Sequence, residues 1–146
     1  MTSNGISAIV SFLSAAMKNR GLDIPLDEGN CTEDRETCRI DLGFVNIYID
    51  STEIVITYDT EREEFFRDPY LTDEAWIDDA AYYINALLSG TVVRISDYDE
   101  ATGKLIGYKI IVENEYRKKR ILKKVICNYV PFICLKTKDR RREILN

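Results

Sequence analysis

The chain predicts an α+β fold, a single domain with one antiparallel sheet of about five strands and three main helices, in the order α-β-β-β-α-β-β-α plus a basic C-terminal segment. Three observations predict it. Apolar residues recur at helical spacing near the start and again over residues 72–88. Between Thr37 and Tyr58 the period shortens to two, as in half-buried strands, and Thr91–Tyr98 and Leu105–Val112 are β-rich runs. The strands come in runs and do not alternate with helices, which favours α+β over a parallel α/β sheet. A length of 146 residues suits one domain with its own core; residues 1–135 are assigned to it and 136–146 to a basic tail.

From about Asn4 to Arg20, Ile6, Ile9, Val10, Leu13 and Met17 recur every three or four positions, and Gly21 stands where a C-cap glycine belongs. Residues 22–36, with Pro25 and Gly29, read as a polar connection whose acids Asp23, Asp27, Glu28, Glu33, Asp34 and Glu36 face solvent. Three short antiparallel strands follow. Cys38, Ile40 and Leu42, then Val45, Ile47 and Ile49, then Ile54 and Ile56 alternate with other residues, and Gly43 and Ser51–Thr52 sit at the breaks. Asp59–Asp68, closed by Pro69, reads as a short helical turn or an irregular loop with Phe65 and Phe66 among acids.

Thr72 is the N-cap of the central helix, and Asp73, Glu74, Asp78 and Asp79 complement the positive end of its dipole. Trp76, Ile77, Ala80, Tyr83, Ile84, Leu87 and Leu88 form its apolar face, and Gly90 is expected to stop it in a left-handed conformation. Thr91–Tyr98 and Leu105–Val112 make a hairpin around a polar turn with Gly103. Glu115–Asn128 is predicted as a third helix, with Ile121, Leu122, Val125 and Ile126 as its stripe and Arg117, Lys118, Lys119, Arg120, Lys123 and Lys124 around it. Tyr129–Leu135, interrupted by Pro131, is expected to be an edge strand or extended segment.

Charge is unevenly placed. Residues 117–146 hold 11 of the 20 basic and 2 of the 25 acidic residues, a balance of +9, and the rest of the chain carries −14. An asymmetry of this size bears on partners rather than on fold. The −14 remainder repels phosphate, so nucleic acid is not an expected partner of the basic Arg117–Lys124 segment. No run reaches the roughly 18 apolar residues of a membrane span, and no basic-then-apolar leader opens the sequence. The expected location is the cytoplasm, where four cysteines stay reduced.

Histidine is absent, which removes the commonest general base, the commonest metal ligand and every Ser–His or Cys–His pair. Sequence-adjacent acids such as Asp78–Asp79 point ~100° apart on a helix, so they make no facing carboxylate pair. Asp97-Tyr98-Asp99-Glu100 begins like a calcium loop but places Ala101, Thr102 and Tyr108 at the fifth, sixth and twelfth positions, where Asp or Asn, Gly and Glu are needed. Cys31 with Cys38 and Cys127 with Cys134 are spaced too widely for a zinc knuckle and read as buried small apolar residues, with a redox pair or zinc as the other readings. No glycine-rich phosphate loop is present. No catalytic residue, metal or cofactor is therefore assigned, and the chain is not expected to be an enzyme.

What remains is a surface. Residues 59–79 carry nine acids against two arginines. Asp59, Glu61, Glu63, Glu64, Asp68, Asp73, Glu74, Asp78 and Asp79, with Phe65, Phe66 and Tyr70, are the candidate contacts for a basic protein partner. Acids steer such an encounter and aromatic rings anchor it; Trp76, Phe65 and Phe66 are each read with equal weight as core.

Leu87-Leu88-Ser89-Gly90 and the hairpin to Val112 resemble, in style and layout, the bacterial immunity proteins that neutralise toxins of competing cells. That resemblance implies an acidic cytoplasmic inhibitor, here of a basic toxin domain. The element order, and Gly21-Leu22 through Asp50, are similar to type III secretion chaperones, which implies a homodimeric chaperone or adaptor; the basic end after Tyr116 departs from that pattern. A small carboxylate- or metal-dependent enzyme is the further alternative.

Overall fold

The computed structural model describes residues 5–23, 31–116, 118–128 and 138–146. Among them are two helices and nine strands, arranged as two antiparallel sheets. This corrects the expected single sheet of about five strands with three helices: the protein is mostly sheet. The chain divides into two compact units, Met1–Leu88 and Ser89–Asn146.

The first unit contains helix α1 (Gly5–Asn19), strands β1 (Cys31–Glu33), β2 (Thr37–Asp41), β3 (Val45–Asp50), β4 (Glu53–Tyr58) and β5 (Glu61–Phe66), and helix α2 (Asp73–Leu88). Ile6, Ile9, Val10, Leu13 and Met17 are the buried face of α1. The helix ends in a Schellman turn: Gly21, at φ 83°, donates to the Lys18 carbonyl and Leu22 to that of Met17. The five strands form a meander in sequence order. Its inner face is a set of rows across the sheet, Cys38–Ile49–Ile54–Phe65, Ile40–Ile47–Ile56–Glu63 and Val45–Tyr58–Glu61. The two helices pack on each other and on β2–β5.

Short polar side chains set the turns. Asp34 accepts the Glu36 and Thr37 N–H groups, each at 2.8 Å, and Asp50 accepts those of Thr52 and Glu53 at 2.8 and 2.9 Å. Both are local side-chain caps of turn backbone. The two-residue turn Asp59–Thr60, with Asp59 at φ 51°, joins β4 to β5. The segment expected to be a helical turn or loop is therefore a strand. Thr72 caps α2 as expected, accepting the Ala75 N–H at 3.3 Å.

The second unit is a four-stranded sheet of order β8-β7-β6-β9, built from β6 (Thr91–Asp99), β7 (Leu105–Glu113), β8 (Lys119–Ile126) and β9 (Lys138–Ile144). The hairpin β6–β7 falls where the two β-rich runs put it, with Gly103 at φ 71° in its turn. Gly90 is not left-handed; a side chain there would meet the Glu113 carbonyl oxygen at 2.7 Å and Val112 Cγ1 at 2.8 Å. Close approach of backbone, not helix capping, requires this glycine.

The predicted third helix is strand β8. Its pairing with β7 shifts register between Ile110 and Ile111, which face Lys123 and Ile121, so Leu122 is an extra residue without an opposite partner. That bulge interrupts the alternation and makes Ile121, Leu122, Val125 and Ile126 mimic a helical stripe. Asn114 tightens the preceding turn by accepting the Tyr116 and Lys118 N–H groups at 3.0 and 2.9 Å. The basic end read as a tail carries β9, paired along β6 from Val93–Ile144 to Asp99–Lys138. The edge segment expected over Tyr129–Leu135 lies outside the described residues, as do Arg117 and Cys134.

Candidate functional site

Strand alternation decides what residues 59–79 present. On β5, Glu61, Glu63 and Phe65 turn to the inner face, while Arg62, Glu64 and Phe66 turn outward. Glu61 is only 5% exposed. Phe65 meets Tyr83 edge-on, ring centroids 5.7 Å apart, and the Tyr83 hydroxyl shares a 2.6 Å hydrogen bond with Tyr58. Burial, then that bond, pushes the Tyr83 phenol far above its ordinary pKa, so it stays protonated. These three sequence-picked residues therefore belong to the interior face of the sheet. Glu64, on the outer face, pairs with Arg62 at 2.7 Å.

Beyond β5, the acids divide again. Asp68 accepts the Tyr70 N–H at 2.8 Å. Asp73 forms a two-bond pair with Arg67 at 2.8 and 2.9 Å and accepts the indole N–H of Trp76, which is 3% exposed. Asp78 forms another with Arg20 at 2.7 and 3.0 Å; that hydrogen bond holds its carboxyl below the ordinary aspartate range and raises the Arg20 guanidinium. Glu74 and Asp79 are exposed on α2, and Asp59 is exposed in the β4–β5 turn.

Three large apolar side chains stand out in the same stretch: Phe66 is 62% exposed, Tyr70 94% and Leu71 55%. They occupy the end of β5 and the connection into α2, where Asp68 and Pro69 turn the chain and the Leu71 N–H returns to the Asp68 carbonyl. Tyr82, on α2 one turn beyond Asp78 and Asp79, is also exposed. Exposed in this stretch are thus Phe66, Tyr70 and Leu71 before α2 and Glu74 and Asp79 on it. Leu71 and Tyr82 were missed; Leu71 falls in the linker before the Thr72 cap, and Tyr82 points about 100° around the helix from the buried Tyr83.

A hollow of about 730 Å³ lies on the outer face of the first unit's sheet. Arg39, Asp41, Asn46, Tyr48, Thr57 and Arg62 line it, and the Arg39 guanidinium stands 5.4 Å from the Tyr48 ring centroid. It is open and polar, and the Tyr48 hydroxyl on its wall donates to the Asp50 carboxylate at 3.2 Å. Among the described residues, no group of three or more Cys, Asp or Glu side chains converges as a metal requires. No buried side-chain nitrogen or oxygen among them lacks a partner. No helix among them is long and apolar enough to cross a membrane.

The charge asymmetry follows the two units. Met1–Leu88 carries 18 acidic and 6 basic residues, −12, and Ser89–Asn146 carries 7 and 14, +7. In the second unit Asp97 is held low by its hydrogen bond with Arg140 at 2.8 Å, with Lys138 3.7 Å away, and Arg142 reaches Glu113 at 2.8 Å. No family model, no curated protein and no solved structure matches the chain.

Proposed function

We propose that the protein is a non-catalytic binding domain whose acidic first unit engages a basic protein partner, and that it acts as an immunity-type inhibitor of a toxin domain. The observation that carries this reading is the exposure of Phe66, Tyr70 and Leu71 within one short stretch, followed on α2 by exposed Glu74 and Asp79, in a unit of charge −12. Large apolar side chains left in water within one short stretch mark an interaction site more often than a solvated surface. Aromatic anchors supply the affinity of such a contact, and surrounding acids raise the encounter rate with a cationic partner. Asp73 and Asp78, already paired with arginines, hold the α2 end of the surface in place; Glu74 and Asp79 provide the charge that steers.

The test is capture of the partner from the source organism on the immobilised full chain, followed by affinity measurements with variants. Tyr70→Ala is expected to weaken binding roughly 30-fold, the ~2 kcal/mol of a hot-spot residue. The pair Glu74→Lys and Asp79→Lys is expected to slow association and to flatten its dependence on salt. For the inhibitor reading, the captured partner is toxic when expressed alone and harmless when co-expressed with this protein. An acidic partner, or one that binds both variants as tightly as the natural chain, contradicts the proposal.

A further inference from the structure

Cys31 opens β1 and Cys38 is the second residue of β2, two neighbouring antiparallel strands at the edge of the first unit's sheet. Their register, Cys31 opposite Ile40 and Glu33 opposite Cys38, makes the cysteines diagonal neighbours on one face. The two Sγ atoms lie 3.7 Å apart, in van der Waals contact, and both thiols are free. A disulfide needs a separation of about 2.05 Å, which side-chain rotation and a small movement of a three-residue edge strand supply. Accessibility differs sharply between them: Cys38 is fully buried, and Cys31 is partly exposed.

We propose that Cys31 and Cys38 form a dithiol modification site that low-molecular-weight disulfides oxidise reversibly to an intramolecular disulfide. The partly exposed Cys31 thiolate attacks one sulfur of the small disulfide, forming a mixed disulfide and expelling one small thiolate. Cys38 then gives up its proton and attacks the Cys31 Sγ, closing the Cys31–Cys38 bond and expelling the second small thiolate. Two protein thiols are oxidised and one small disulfide is reduced to two thiols, so electrons and protons balance. Burial, then the neighbouring Cys31 with Glu33 and Asp34, pushes the Cys38 thiol up to about 12, which keeps it inert toward external reagents. Its only route to oxidation is through the sulfur beside it. The product ties the edge strand β1 covalently to β2, closing the turn in which Asp34 caps Glu36 and Thr37.

The natural full-length chain is incubated with glutathione disulfide, quenched in acid, alkylated under denaturing conditions and mapped by peptide mass spectrometry. The expected result is joint loss of the Cys31 and Cys38 thiols as one linked pair, reversed by dithiothreitol, while the exposed Cys127 serves as the comparison thiol. Cys38→Ala is expected to trap Cys31 as a stable mixed disulfide, and Cys31→Ser to leave Cys38 unmodified. Amide exchange at residues 31–33 is expected to slow by at least about tenfold on oxidation. A natural chain that accumulates the Cys31 mixed disulfide with Cys38 still free overturns the proposal. So does one in which neither thiol reacts while Cys127 does, because the pair is then only a buried contact.

Discussion

In the first unit the rows across the sheet are apolar from β2 to β4, and the charged residues of these strands lie on the opposite face. In the second unit lysine and arginine make up four of the eight residues of the outer strand β8 and four of the seven of β9, and ion pairs run between β9 and its neighbour β6, Arg140 to Asp97 and Glu143 to Arg94. The first sheet is therefore specified by burial and the second, at its edges, by backbone pairing with charge matching added. Burial leaves a strong local signature in sequence because a one-residue slip would expose every core side chain. Edge pairing leaves little, because its hydrogen bonds are made by backbone and do not depend on which side chains flank them.

The sharpest way to break this comparison is to truncate one apolar side chain in each sheet. Ile56→Ala, at a fully buried position of β4, is expected to cost about 2–5 kcal/mol in denaturant unfolding. Ile121→Ala in β8, 60% exposed, is expected to stay within about 0.5 kcal/mol. Equal costs would mean that β8 is held by burial after all. Gly107→Ala comes next. A methyl group there would collide with the Val125 backbone carbonyl of β8, which has no freedom to swing aside, so a loss of about 1–3 kcal/mol with faster amide exchange along Lys119–Ile126 is expected. If 119–126 were helical, the substitution would leave exchange there unchanged.

Smaller effects sharpen the contrast in kind. Asp50→Ala removes the acceptor for the Thr52 and Glu53 N–H groups and is expected to cost about 1 kcal/mol at any ionic strength. Asp97→Asn weakens pairing with Arg140 and Lys138, both well exposed, so its cost is expected to be below about 1 kcal/mol and to vanish in high salt. The same carboxyl gives a pH dependence. The Arg140 hydrogen bond, opposed by partial burial and aided by the charges of Arg140 and Lys138, holds the folded-state pKa below the ordinary value of about 3.9. Its stabilisation is therefore complete above that value and fades as pH falls through the lower folded pKa, because the unfolded chain binds the proton more readily. Asp97→Asn should flatten that part of the acid-unfolding curve.

These differences also explain what was legible beforehand. Both helices, the meander Thr37–Tyr58 and the β6–β7 hairpin carry burial patterns and were readable residue by residue. β5 was hidden because Glu61 and Glu63 occupy inward positions that normally hold apolar residues. β8 was disguised by its bulge at Leu122, and β9 by a run of arginines whose partners lie over forty residues earlier. Composition likewise counted nine acids without showing that Glu61 and Glu63 face inward and that Glu64, Asp73 and Asp78 are paired with arginines. The contact between Cys31 and Cys38 depends on strand register, which their spacing alone did not show.

The most direct measurement is an amide-exchange footprint of the natural chain alone and bound to its captured partner. The account predicts that protection on binding concentrates in Phe66–Asp79, with Ser89–Asn146 little changed. Protection confined to the basic strands of Ser89–Asn146, with Phe66–Asp79 exchanging as in the free chain, would contradict it.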